Sequence, residues 1–532
     1  MSARRARAGG LLALGLAALV AVSGCATPAP PRQAPPAPAQ RMAVRQHTPA
    51  DRVPPVQPTV VENSRPGARD WRISAASGER RVGAVSGYTD RVSVLPGTPV
   101  GLYVSTSASS WSAIAYRMGW YAGRGARRVW SVGPQPGRVQ PAAAFDPSTR
   151  TVWAPWTRSL LVPTAGWPAG QYLIRLTSST GAQSYVPLLV RSASTAGRLV
   201  LVAATMTWQA YNPWGGFDLY RGPGAHHGFS TRSLAVSFDR PYAQSYGAGL
   251  FFDYLQPVLA QAERLGLSLA YETDVDISTV PGLLAGARAV VFDGHAEYWT
   301  QPLREATLNA RDTGTNLAFL GANTEYWRVR LAGSALGPDR LVVGYKYAVD
   351  PIVRTDPQLA TTRFRDPPNP QPENTLVGLR YECFPAEGAY RVLDPTFWLF
   401  AGTGVSQGTS FAGLAGPEID RYYPLPGTPH PIELVADSPL TCRGVGTWQD
   451  SAYYTTPSGA GVLAVGTMRW VCALAGSCRQ YGVTPAATRF VTTVTDNLLT
   501  AFAAGPVGRA HPALDNSAAY ADRPVLNLTG GS

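Results

Sequence analysis

The chain has 532 residues, 45% of them hydrophobic, and a formal net charge of +12. That is enough apolar material for two or three packed domains, and it argues against a disordered chain. The charge comes from arginines scattered singly, with no basic run beyond the N-terminus, so a backbone-tracking nucleic-acid stripe is not expected.

Residues 1–25 carry Arg4, Arg5 and Arg7, an apolar run over 11–22, and small residues leading to Cys25. The run is short for a membrane span, and small residues before a cysteine suit processing. The segment resembles a bacterial lipoprotein signal, which implies an exported protein lipid-anchored to the membrane through Cys25 and facing outside, with a plain secretory signal as the alternative. Residues 26–59, rich in Pro, Ala, Gln and Arg, cannot bury a core and read as an extended tether.

Over residues 60–195, short alternating runs at 92–94, 100–105, 113–118, 172–177 and 185–190 are separated by Gly/Pro turns, with no convincing helix. This pattern predicts an immunoglobulin- or fibronectin-like β-sandwich. Trp120, Trp130, Trp153, Trp156 and Trp167 serve either as its core and domain contact or as a sugar platform.

From 197 to 506 strands alternate with helices. Residues 199–204 are a continuous apolar strand, 267–271, 289–292 and 317–320 are further strands, and 250–265 is an amphipathic helix in which Pro257 predicts a kink or a restart. A short helical piece is expected around Leu283 and another helix over 302–312. Fully apolar strands joined by helices predict a parallel sheet covered on both faces, a Rossmann-like (glutamine-amidotransferase-like) α/β domain. Beyond Gly344 the pattern turns towards β, with a hairpin around 457–461. A helix then opens at Thr484-Pro485 with Phe490, Val494, Leu498 and Phe502 on one face. Residues 507–532 read as a coil tail.

Export makes disulfides permissible. Cys383, Cys442, Cys472 and Cys478 allow three pairings; the short interval favours Cys472 with Cys478, leaving Cys383 with Cys442. The absence of a CxxC and the spacing of the histidines argue against zinc.

The segment 290–300, V-V-F-D-G-H-A-E-Y-W-T, is the strand end around which the rest gathers. The other predicted strands end in 207–212 with Trp214 and Tyr220, in Thr273 to Asp276, and in Gly321 to Thr324. All lie on one edge of the sheet, where α/β folds place their ligands. Asp274 and Asp276 have an equally ready reading as helix caps. No Walker loop or dinucleotide fingerprint follows the first strand, and Ser406, in a G-x-S-x-G match, lacks the helix that a nucleophile elbow requires. Carboxylate, imidazole and phenol remain, a set that suits a hard Lewis-acidic cation. One lysine, Lys346, stands beside 45 arginines (46 minus 1), which marks it as a candidate functional ammonium.

The run T-W-Q-A-Y-N-P-W-G-G-F-D-L-Y over 207–220, Gly294 to Trp299, Asn323 and Gly344-Tyr345-Lys346 together resemble the C-terminal domain shared with the large subunit of N,N-dimethylformamidase. That family hydrolyses a small amide with a ferric ion held by two tyrosines and a glutamate. The resemblance implies Tyr211, Tyr220 and Glu297 as ligands of iron (Fe3+) or another hard metal, with Tyr242 in reserve for either phenolate. It also implies His295, Asn323, Lys346 and Glu418 as the residues of the reaction. The expectation is a metal-dependent hydrolase of a C–N bond acting on a small-molecule amide. Two rivals are a glycan-binding or glycoside-active protein using Glu297 with Asp274 or Glu418, and a non-catalytic surface module with a vestigial site.

Overall fold

In a computed structural model, residues 57–75, 84–223, 228–346 and 349–526 are described. The expected signal, Cys25 and most of the tether lie outside them. The chain from Val56 onward is one compact unit, rich in β-strand with several helices. A first helix, Pro58–Asn63, opens it with proline in its first turn, where the missing amide costs nothing.

Two sheets follow. Val85–Thr89, Val100–Thr106 and Leu160–Val162 form a three-stranded antiparallel sheet. A five-stranded sheet runs in the order Ser93–Val94, Gln183–Val190, Gly170–Ser178, Ser110–Met118, Ala126–Pro136. Alternate residues of both, among them Val100, Leu102, Trp111, Ile174 and Val186, meet in one apolar core. Trp167 belongs to that core with Trp130 packed against it, so these two are structural.

The large sheet has nine strands. Leu269–Thr273, Leu199–Ala203, Ala289–Phe292, Asn316–Phe319 and Gly461–Ala464 run parallel, and Val445–Thr455, Ile432–Cys442, Ala386–Arg391 and Ser410–Ala415 continue it antiparallel. The expectation of a parallel sheet is thus corrected to a mixed one. The β-rich segment after Gly344 adds to the same sheet, because Gly461–Ala464 pairs with Asn316–Phe319 and carries its hairpin partners along. Both faces are buried, as fully apolar strands require: Leu199, Leu201 and Ala203 face one core while Val200 and Val202 face the other.

Helices cover the sheet. Around Pro257 the backbone makes a π-type turn over Phe251–Leu255 and restarts as the α-helix Gln256–Arg264. The helix expected around Leu283 lies earlier, at Asp274–Thr279. Thr273 and Asp276 there close a reciprocal capping box, and Leu283 falls in the following turn. Gln301–Asp312, capped by Thr300, and Pro485–Ala504, capped by Thr484, form where the periodicity places them. The described part of the tail is irregular apart from one helical turn at Ser517–Tyr520, and Arg523 pairs it with Asp450 at 3.0 Å. Cys383–Cys442 and Cys472–Cys478 are bonded pairs, with Cα atoms 6.5 and 5.5 Å apart.

Candidate active site

The carboxyl ends of the parallel strands face one cavity of about 560 Å³. The third strand leads through Asp293 and Gly294 to His295 and Glu297, which are 4% and 1% exposed. The fourth passes close beside it. A Cβ on Gly321 would sit 1.9 Å from the Gly294 carbonyl oxygen, so only glycine lets the two strand ends approach and bring His295 and Asn323 to one cavity.

The helix Thr205–Ala210 follows the first strand and holds the third. Thr207 Oγ1 accepts hydrogen bonds from the amides of Glu297 and Tyr298, at 3.1 and 3.3 Å. Asp274 bonds the Thr205 hydroxyl at 2.6 Å and the Met206 amide at 2.9 Å, and is therefore a structural group at that helix start. Tyr211 emerges where the helix ends. Tyr220 comes from the next loop, its amide bonded to Asp218 Oδ1 at 2.7 Å.

The two tyrosine rings stack at 4.8 Å. Each hydroxyl donates to a different oxygen of Glu297, Tyr211 at 2.6 Å to Oε2 and Tyr220 to Oε1. Trp327 Nε1 donates to the Tyr220 hydroxyl at 3.2 Å. Burial first and Glu297 second hold both phenols well above their ordinary pKa.

His295 Nε2 lies 3.4 Å from Glu297 Oε2 and 3.7 Å from Glu418 Oε2. Burial opposes its charge, but Glu418 and Glu297 outweigh burial and raise its pKa. Glu418 is pushed up to about 7 by burial, with His295 acting against the shift. Asn323 stands at φ 58°, its amide bonded to Asp420 Oδ1 at 2.7 Å, and its own buried Oδ1 lacks a partner.

Lys346 is 1% exposed and sits behind this group. Its Nζ is 3.1 Å from the Tyr220 ring centroid, with Trp327 and Tyr298 at 4.8 and 5.1 Å. Burial drives its pKa well below the ordinary lysine value, against the pull of Glu297.

Tyr211, Tyr220, Glu297, His295, Asn323 and Glu418 therefore share one cavity, and Lys346 backs it. Tyr242 turns elsewhere, edge-on to Trp208, and is not the second phenol. Ser406 is exposed in a turn. Trp299 is buried against Phe292 and Trp214 packs on Trp156, so neither offers the cleft platform that a glycan site would need. Among the described residues no group of three His, Cys, Asp or Glu side chains is placed to hold a metal ion. Sequence reasoning overlooked the supports: Thr207 and Asp218 stand inside the run that carries the tyrosines, but nothing local marks them, and Asp420 and Trp327 come from distant segments.

Among solved structures, the chain is similar to a cycloisomaltooligosaccharide glucanotransferase from Paenibacillus sp., complexed with cycloisomaltoheptaose, at 13% identity. That likeness covers 24% of this chain and 17% of the other at a TM-score of 0.14, too slight to argue from. No curated protein matches the chain. The N,N-dimethylformamidase beta subunit-like, C-terminal family matches residues 112–482, beginning within the strand Ser110–Met118 and running through every strand end of the cavity. Over that span, which is most of its length, the chain belongs to the N,N-dimethylformamidase beta subunit-like, C-terminal family.

Proposed function

We propose that the protein is a metal-dependent amide hydrolase in which Tyr211, Tyr220 and Glu297 hold a ferric ion. The observation that carries this reading is the convergence of two stacked phenols on the two oxygens of one buried glutamate. The donor set fits a hard trivalent cation. Burial and the Glu297 carboxylate raise the pKa of both phenols, while the hydrogen bonds from His295 and Tyr211 help, against burial, to lower that of Glu297. With a cation held by Tyr211, Tyr220 and Glu297 the phenols would be stabilised as phenolates. When bound, such an ion supplies Lewis acidity to the substrate carbonyl.

The chain's own residues do the rest. His295, between Glu297 and Glu418, takes a proton from the attacking water and returns it to the leaving nitrogen. Glu418, as the carboxylate, steadies the protonated imidazole from 3.7 Å. The side-chain amide of Asn323, held at its strained φ by Asp420, donates to the oxygen on which charge develops. Lys346 supports Tyr220 from behind and keeps water from its ring. The aromatic walls exclude bulk solvent, which strengthens each of these contacts.

The same reading takes the two N-terminal sheets as an immunoglobulin-like sandwich and the large sheet as a Rossmann-like core with an antiparallel extension. It makes the protein an exported lipoprotein anchored through Cys25. Elemental analysis of purified protein tests the metal: about one iron per chain and a phenolate-to-iron absorption band are expected. Iron-free protein that still hydrolyses amides would overturn the assignment.

A further inference from the structure

We infer that the amide accepted here is bulkier than a dialkylformamide and carries a carboxylate, held at the cavity mouth by Arg221 and Arg443. The inference rests on the hydrolase reading for the reaction, but on the shape and charge of the cavity for the ligand. A space of about 560 Å³ falls in the range of drug-sized ligands, whereas an amide of a few heavy atoms would leave most of it to water. Its walls are apolar, with Leu250, Tyr254 and Met468 on one side. Tyr254 is aimed inward by the π-type turn that precedes Pro257.

The charges along the cavity are graded. Glu297, Glu418, Arg221 and Arg443 all line the cavity, but Glu297 and Glu418 are buried and make its enclosed part acidic, while Arg221 and Arg443 are exposed and so mark its mouth. An anionic group is repelled from the depth and attracted to the entrance, so a molecule with an amide at one end and a carboxylate at the other has one favourable way in. Arg221 is 57% exposed in its side chain and only loosely paired with Asp218, at 3.8 Å.

The other half of the mouth is built. Phe384 and Arg443 directly follow Cys383 and Cys442, the two halves of one disulfide. Arg443 Nε donates to the Phe384 carbonyl at 2.9 Å, and the Phe384 ring, in a residue 46% exposed, lines the entrance. An apolar ring and a guanidinium on a crosslinked rim present a surface for an aromatic or aliphatic carboxylate at little ordering cost.

The test compares 4-(2-acetamidoethyl)benzoate, whose amide and carboxylate stand at opposite ends of the ring, with N-(2-phenylethyl)acetamide, which has the same amide and ring without the carboxylate. Binding to the iron-loaded full chain is measured by calorimetry, and turnover by amine release. The acid is expected to bind about tenfold tighter, the scale of two solvent-screened charge contacts. That advantage should shrink as salt is raised and fall to within about twofold in Arg221→Gln/Arg443→Gln. Arg221→Gln alone, remote from the disulfide, should lose part of it. Equal affinity of the two ligands, an advantage that survives the double substitution, or no binding of either overturns the inference. Tight binding of the acid without cleavage supports it and overturns the hydrolase reading instead.

Discussion

The Nζ of Lys346 rests 3.1 Å from the centroid of the Tyr220 ring and has no hydrogen-bond partner, although it is almost fully buried. An ammonium enclosed by Tyr220, Trp327 and Tyr298 has lost its water, and burial drives its pKa well below the usual value. The position therefore tolerates an amine that can shed its charge but not a permanently charged guanidinium. Lys346→Met should fold with a melting temperature near that of the parent while losing about tenfold or more in kcat. Lys346→Arg should lose about 3–5 kcal/mol of stability, the cost of an uncompensated buried cation. Thermal and urea denaturation of the two variants decide this, and a stable Lys346→Arg protein would contradict it.

Thr207 accepts from two buried amides, those of Glu297 and Tyr298. Thr207→Val preserves the shape of the side chain and leaves both donors unpaired, at about 1–3 kcal/mol each. Stability should fall by that order and iron occupancy should fall with it, because Glu297 is no longer fixed. Unchanged iron content in a destabilised protein would separate the structural role from the site.

Tyr211 and Tyr220 occupy different oxygens of Glu297, so their removal should not be equivalent. Tyr220→Phe also deprives Trp327 Nε1 of its acceptor and changes the ring against Lys346. We expect Tyr220→Phe to abolish the phenolate-to-iron band and Tyr211→Phe to shift and weaken it. Glu297→Gln should remove iron altogether, with the far-ultraviolet dichroism of all three unchanged. Full iron loading in Glu297→Gln would refute the ligand set.

Outside the cavity lining, Glu272 is fully buried on the edge strand Leu269–Thr273, and neither carboxylate oxygen has a hydrogen-bond partner. Burial, then Asp276, raise its pKa to about 9, with Arg191 only partly offsetting them. A folded-state pKa above the unfolded value means the carboxyl is tolerated while protonated. Its contribution is intact below the unfolded pKa of about 4.3 and is lost progressively as pH rises towards 9. Glu272→Gln should therefore match the parent near pH 4 and exceed it near pH 8 by about 2–4 kcal/mol. Denaturation at the two pH values gives the answer, and a pH-independent difference would show that the acid is ionised in the folded protein.

The strands 199–203 and 289–292 were legible because they are apolar at every position, which only burial on both faces explains. Pro485–Ala504 was legible from its cap and its period. The helix expected near Leu283 was misplaced because a capping box at Thr273 and Asp276 outweighed an apolar cluster further on. The sheet was read as parallel because nothing within the 432–464 segment states which distant strand it will pair with; that is decided by the contact of Gly461–Ala464 with Asn316–Phe319.

The same division holds at the site. By itself the sequence determined the chemistry on offer: one glutamate after a strand, two tyrosines in a loop, a single lysine, and no thiol nearby. Only the tertiary structure decided that two phenols share one carboxylate, that Lys346 stands behind Tyr220 and not on the cavity wall, and that Tyr242 is excluded. Residue types are properties of the chain. Convergence depends on strand order, on the close approach of Gly294 and Gly321, and on the Thr207 clamp, each of which joins segments far apart in sequence.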